Sequence, residues 1–366
     1  MDTKLQKRNI NLDILRIMAC FFIVLAHVSS VGCENPTSNI NWCLSHLFNS
    51  LGHSGTILFL FISGSLLLSE DYRFDPGKFF RRNFLTLLAA YVCWLVIYHA
   101  VGLIQRGDYS PAVLKDAVLN VIYGNASYHF WYIPMLLGVY LLLPMFRAIA
   151  RAGKKTVAYL VILFLVISVL FPTLFYFEFP YKYLLSSVVN RIPFTLVNHY
   201  AGYFFMGYLL SLLQKENCIP RPRLTGTLLL LSGLALALLG DSALSIGNGY
   251  PSVAMNTLFS LPLCMIAAGV YLLVCSLRLR ERPKTAALLL RVSGLTFGVY
   301  MLHPLIVTQV MRLTGGLSGL SALLTVPLDT VISFLCSLLI SFLLSLIPGV
   351  RRWLLFLHER KASFSK

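Results

Sequence analysis

Ten separate stretches of this sequence are each apolar enough to be a helix lying across a lipid bilayer, and that repetition limits the fold more than any other feature. They fall near 12–31, 54–69, 84–104, 130–146, 156–175, 197–213, 224–240, 254–277, 292–311 and 323–347, the second being short. A hydrocarbon layer roughly 30 Å thick takes about 20 residues of helix to cross. Inside it every backbone N–H and C=O must find a partner within the protein, which leaves a bundle of helices as the fold for segments of this length. Charged residues make up only 12% of the chain, against about 25% in a soluble domain. No hydrophilic stretch is long enough to fold separately. The sequence therefore predicts one all-α domain over 1–366, a polytopic integral membrane protein of about ten transmembrane helices.

The net charge of +16 would suit a nucleic-acid binder, but the placement of the basic residues points elsewhere. Of the 30 lysines and arginines, 25 fall in the alternate segments 1–16, 70–82, 147–155, 214–223, 278–291 and 351–366. The other five are Arg106, Lys115, Lys182, Arg191 and Arg312. Such an asymmetry follows the positive-inside rule. It places both termini in the cytosol, makes membrane lipids the surroundings, and leaves no patch for nucleic acid. Lys4, Lys7 and Arg8 ahead of the first apolar run resemble a signal peptide, but the run continues through His27 and Ser29 without a small-x-small cleavage site. A retained first helix is expected.

The eight cysteines have no metal-type spacing, and no metal is expected. Cys20, Cys93, Cys264, Cys275 and Cys336 fall within spans as packing residues. Cys33 and Cys43 share the first outer loop, as a disulfide or as two thiols. Outer loops are expected at 32–53, 105–129 and 176–196. The last carries Phe177, Phe179, Pro180, Tyr181 and Tyr183 and would lie at the interface or cap a cavity. Pro134 and Pro304 occupy matching places in a five-plus-five arrangement, as simple kinks or as the broken helices of a transporter.

Ionisable groups within a bilayer cost about 3 kcal/mol or more at its centre and mark function by default. Acids are few: Asp13 at the start of the first span and Asp329 in the tenth. Arg16 and His27 are eleven residues apart, which on a helix is about three turns plus 20° and a rise of about 16 Å. One stripe thus carries a cation near the cytosol and an imidazole deep in the bilayer. Asp13, three residues before Arg16, can pair with it and hold the guanidinium.

That pattern, arginine and histidine eleven apart on a first helix beginning LDILR, resembles acyltransferase family 3, a family of membrane acyltransferases. FLFISGSLLL (59–68), the basic KFFRR (78–82), HFWYIPMLLGVYLLLPMF (129–146) and GLTFGVYMLHP (294–304) are similar to its patterns in the same order, along most of the chain. One departure stands out: the family often has an RxxR pair after the second span, where this chain has Lys78 and Arg81, with Arg82 adjacent. Lysine meets phosphate as a point charge, without the bidentate fork of arginine. The resemblance, nearest to stand-alone O-acetyltransferases of envelope glycans, implies a bacterial cell membrane, transfer of an acetyl group from acetyl-CoA, and a hydroxyl of an envelope glycan or lipid-linked saccharide as acceptor.

The residues support such chemistry on their own terms. Coenzyme A is cytosolic and carries several phosphate charges, and Arg16, Lys78, Arg81 and Arg82 stand where they would clamp it. His27 would take the proton from an acceptor hydroxyl attacking the thioester, or be acylated itself and pass the group on; the sequence does not choose. His303, with Tyr300 one turn before it, reaches a depth comparable to His27 and would line the same cavity. His129 and Trp131 stand at the outer mouth, as a sugar platform or as part of an aromatic belt. Asp329 would orient an imidazole, bind an acceptor hydroxyl, or join two helices. His46, His53, His99, His199 and His358 are assigned no role. A transporter of a small polar solute and a non-catalytic membrane module remain the rival readings. Nothing in the sequence fixes an oligomeric state.

Overall fold

The computed structural model describes residues 9–34, 39–124, 126–191, 200–279, 283–315 and 321–357. His199, His358 and the leading Lys4, Lys7 and Arg8 lie outside them. Among the described residues the chain is helical, without a strand: α1 Ile10–Ser29, α2 Ile40–Leu67, α3 Pro76–Arg106, α4 Pro111–Tyr123, α5 Tyr132–Arg151, α6 Lys154–Leu174, α7 Lys182–Arg191, α8 Tyr200–Lys215, α9 Pro222–Asn248, α10 Leu261–Cys275, α11 Pro283–Thr314, α12 Ala322–Ser345 and the short α13 Pro348–Trp353. Among the described residues eight helices are long and apolar enough to cross a membrane (α1, α2, α3, α5, α6, α9, α11 and α12). The two other expected spans fall on α8 and α10, which are 16 and 15 residues long as described.

Local chemistry sets the ends of these helices. The side chains of Asn9, Asn39, Ser260 and Ser321 each accept a backbone N–H at the start of a helix, satisfying donors that have no intrahelical partner. Gly107, with φ of 65°, closes α3 in the left-handed region that glycine enters without strain. Helix α1 is the hub, packed against α2, α10, α11 and α12, and α2 in turn touches α8, α9 and α10.

The bundle is inverted relative to a soluble one. On α12 the exposed stripe is Leu324, Leu328, Val331, Leu335, Leu339 and Leu343, whereas Asp329, Thr330, Ser333, Ser337 and Ser341 are buried. Lipid tails solvate leucine as well as a protein core does, so helix association here relies on close packing and polar contacts rather than on hiding apolar surface.

Several expected boundaries need correction. Residues 40–53, expected as loop, are the first half of α2. Within it His46, Asn49 and Ser50 bond Asp241 and Asn256, and hydropathy cannot distinguish such a buried polar seam from a solvated loop. The outer loops 105–129 and 176–196 contain α4 and α7. In the second of these, Tyr181 and Tyr183 are exposed and do not line the 820 Å³ cavity described below. The eighth apolar stretch, expected from 254, starts as α-helix only at Leu261, because 250–260 is an irregular wall held by side chains described below. Pro134 is the third residue of α5, and α11 runs unbroken through Pro304, so neither proline interrupts a helix. Cys33 and Cys43 are free thiols.

Arg147 on α5, counted in the sequence as one more positive-inside residue, is 4% exposed. Its guanidinium donates to the carbonyl of Leu67 at the end of α2, to Ser69 at 3.4 Å and to Tyr72 at 2.9 Å. It also lies over the rings of Tyr72 and Phe74. A cation on the last carbonyls of a helix satisfies orphan acceptors and opposes the helix dipole. Arg147→Met is expected to lower the thermal midpoint of the purified protein, at a cost of about 1–3 kcal/mol for acceptors left without donors. An unchanged midpoint would show that this cap does not secure the turn.

Candidate active site

Helix α1 carries Arg16 near its start and His27 in its last turn. At 1.5 Å of rise per residue they are about 16 Å apart along the axis, and of the two only His27 lines the cavity described below. The Tyr132 ring lies 5.7 Å from that of Tyr300, on α11. His27 in turn stacks on His303 with ring centroids 5.2 Å apart and meets Tyr128 at 4.5 Å. Asp13 is buried and accepts a hydrogen bond from Ser293 of α11 at 2.8 Å, which fixes the entry of α1 against that helix.

His129 precedes α5 and is enclosed by rings: Tyr98 at 5.4 Å, Tyr300 at 5.5 Å and His303 at 5.3 Å. The hydroxyl of Tyr300 donates to the His129 carbonyl at 2.5 Å, and that of Tyr98 to the Met301 carbonyl at 2.7 Å. His303 Nδ1 donates to the Tyr300 carbonyl at 2.5 Å. That bond leaves His303 Nε2 as a lone-pair nitrogen, buried without a hydrogen-bond partner, as are both ring nitrogens of His129. Three imidazoles thus share one cluster, two of them with uncommitted nitrogens.

A cavity of about 820 Å³ opens beside this cluster, with His27, His53, His129, Trp131 and Tyr300 on its wall and Glu34 exposed at its mouth. The volume suits a small organic ligand. Trp131 and Tyr200 lie 5.3 Å apart at an interplanar angle of 31° and form an aromatic surface on one side. Among the described residues no group of three His, Cys, Asp or Glu is arranged to hold a metal ion.

The remaining sequence candidates fall elsewhere. Lys78, Arg81 and Arg82 are exposed at the opposite end of the bundle, Arg81 and Arg82 on a π-helical turn, and Lys78 lies 3.5 Å from Asp75. They do not line this cavity. His303 is fully buried behind His27 rather than on the cavity wall. Asp329 accepts from Thr314 at 3.3 Å, joining the ends of α11 and α12, and is likewise absent from the wall.

Sequence reasoning overlooked His53, Asn49 and Asn256 on the wall, and the buried pair His46–Asp241 behind them. A signal was present: Ser45, His46, Asn49, Ser50, His53 and Ser54 recur at helical spacing and mark a polar seam. Also overlooked was a second cavity of about 730 Å³ at the basic end, lined by Arg221, Arg223 and Arg278.

The family model of an acyltransferase domain matches residues 9–346, nearly the whole chain. No curated protein and no solved structure matches it.

Proposed function

This chain belongs to acyltransferase family 3, and on that premise we propose that it is a membrane O-acyltransferase moving an acetyl group from cytosolic acetyl-CoA to a hydroxyl of an envelope glycan or lipid-linked saccharide. The observation that carries this reading is the placement of His27: an imidazole on the wall of a cavity at one end of the bundle, with Arg16 about three turns back on the same helix. Both termini and the basic loops face the cytosol in this reading, and the cell membrane is bacterial.

Arg16 holds the donor by its phosphates or pantetheine carbonyls, with Lys78, Arg81 and Arg82 as further phosphate contacts at the same end. Asp13 supports the start of α1 through Ser293. The pantetheine arm lies along the Tyr132–Tyr300 seam and brings the thioester to His27. Neutral His27 takes the proton of the acceptor hydroxyl as its oxygen attacks the thioester carbonyl. The C–S bond breaks, the ester forms, and the thiolate leaves to be protonated as coenzyme A. Trp131 offers a face on which a sugar ring stacks, and His129, Tyr300 and His303 pack the imidazole of His27 in place.

Two measurements test the proposal. Acetyl-CoA binding to the purified protein in nanodiscs is expected, and Arg16→Glu or Arg81→Glu should weaken it at least tenfold, since a hydrogen bond to a charged group contributes about 1.5–3 kcal/mol. Arg221→Glu serves as the comparison, because loss there alone would move the donor to the second basic cavity. Mass spectrometry of the envelope with and without the gene should reveal one lost ester. A protein that ignores acetyl-CoA, in cells whose envelope esters are intact without it, is not this enzyme.

A further inference from the structure

Asp241 lies inside the 27-residue helix α9 and is 0% exposed, as is His46. A lone carboxylate at that depth costs several kcal/mol, and the donors around it show what it holds. His46 Nε2 donates to Oδ2 at 2.8 Å, Ser252 Oγ to Oδ1 at 3.0 Å, and the Met255 N–H to both oxygens at 3.0 and 3.2 Å. Two of these donors belong to the irregular segment before α10, which forms one wall of the 820 Å³ cavity.

From there the bonds run on toward His27. Ser50 Oγ, one turn after His46, donates to Asn256 Oδ1 at 2.6 Å. Asn256 Nδ2 donates to Asn49 Oδ1 at 3.0 Å, and Asn49 Nδ2 donates to the Ala26 carbonyl at 2.9 Å and to Ser29 Oγ at 3.3 Å. Asn49 and Asn256 both line the cavity. A carboxamide has two N–H donors and two oxygen lone pairs. Asn49 uses both donors and one lone pair; Asn256 uses one of each, its second N–H meeting only His46 Nε2, at 3.4 Å. The two amide oxygens thus keep acceptor capacity beside His27, which suits the O–H of an alcohol.

We propose that Asn49 and Asn256 bind the acceptor's hydroxyl groups next to His27, and that Asp241 and His46 are positioning residues that fix those amides. The inference rests on the acyl-transfer reading above and narrows its acceptor: the part entering the cavity is an uncharged sugar or polyol. Among the described residues no lysine or arginine lines the cavity, and Glu34 is the one carboxylate there. A phosphate entering there would lose its hydration with no cation to replace it, so any phosphate of a lipid-linked acceptor stays outside.

Transfer from radiolabelled acetyl-CoA to octyl β-glucoside and to its 6-phosphate, by the full chain in nanodiscs, tests this. The expected outcome is labelling of the neutral glycoside with at least tenfold preference over the phosphate. Asn256→Ala should raise the glycoside KM at least tenfold with acetyl-CoA binding unchanged. Asp241→Asn should raise KM in the same direction by a smaller factor. That change keeps the volume and the Oδ1 acceptor, so it guards against a folding defect being read as lost binding. Unaltered KM in both variants, an equal loss of donor binding, or preference for the phosphate overturns the inference while the acyl-transfer reading stands. A wild-type protein that labels neither glycoside overturns both.

Discussion

Replacing His27 by alanine is expected to reduce acetyl transfer by about 10²–10⁴-fold, the usual contribution of a general base, while the affinity for acetyl-CoA is retained. The reason is positional. His27 lies on the cavity wall, with one face stacked on buried His303 and Tyr128 on another side, so truncation removes the proton acceptor without touching Arg16 at the other end of α1. His27→Gln should not restore the rate, because an amide has the size of imidazole but no basic nitrogen. Rapid quenching of wild type with labelled acetyl-CoA in the absence of acceptor separates direct attack from acylation of the imidazole. A hydroxylamine-sensitive label on the protein, absent in His27→Ala, would replace the direct route with an acyl-histidine. Full transfer by His27→Ala would remove the histidine from the chemistry altogether and favour a role for a different group in the cluster.

The sequence yielded the class of fold and one axis of the candidate site, and the rest depended on contacts between distant helices. Apolar runs locate helices because lipid imposes the same length and composition on each, and every one of the ten stretches falls on a helix. Arg16 and His27 were legible because a single helix fixes their relation by arithmetic. The cluster around His27 depends on which helices meet, and that information is not local. His129 and His303 are 174 residues apart and touch only because the start of α5 leans on the middle of α11. The opposite error came from polarity. His46, Asn49 and Ser50 look like a loop by hydropathy, yet they lie in a buried helix where Asp241 and Asn256 arrive from about 200 residues away to satisfy them. The same blindness hid Arg147, whose partners are backbone carbonyls that no composition reveals. Lys78, Arg81 and Arg82 show the converse case: a conspicuous motif whose side chains are exposed, at the end of the bundle away from the cavity.

Gly64→Val should be the most destabilising single change in the bundle, because α2 meets two helices almost backbone to backbone. A Cβ on Gly64 would lie 1.8 Å from the carbonyl oxygen of Phe204 on α8, and one on Gly207 of α8 would lie 2.3 Å from Phe61. On the other side of the bundle axis, a Cβ on Gly55 would lie 2.4 Å from the Ala19 carbonyl oxygen and one on Gly52 2.4 Å from the Ala26 nitrogen. Backbone atoms cannot rotate away, so the helices themselves must separate. Overpacking of this kind costs about 1–3 kcal/mol even where side chains can yield, and small residues at such crossings are what allow membrane helices to associate. The two crossings should also differ in what they disturb. Gly52 faces the residue before His27, and Asn49, one turn earlier, hydrogen-bonds the Ala26 carbonyl. Gly52→Ala is therefore expected to impair transfer as well as stability, whereas Gly64→Ala, at the far end of α2, should lower the thermal midpoint with a smaller loss of rate in the protein that remains folded. Gly102→Ala on α3 is the control: nothing lies within 4 Å of its Cβ, and alanine is the better helix former by about 1 kcal/mol. Equal midpoints for Gly64→Val and Gly102→Ala would mean that α2 and α8 do not cross at this distance, and the wall of the site that α2 contributes would have to be placed anew.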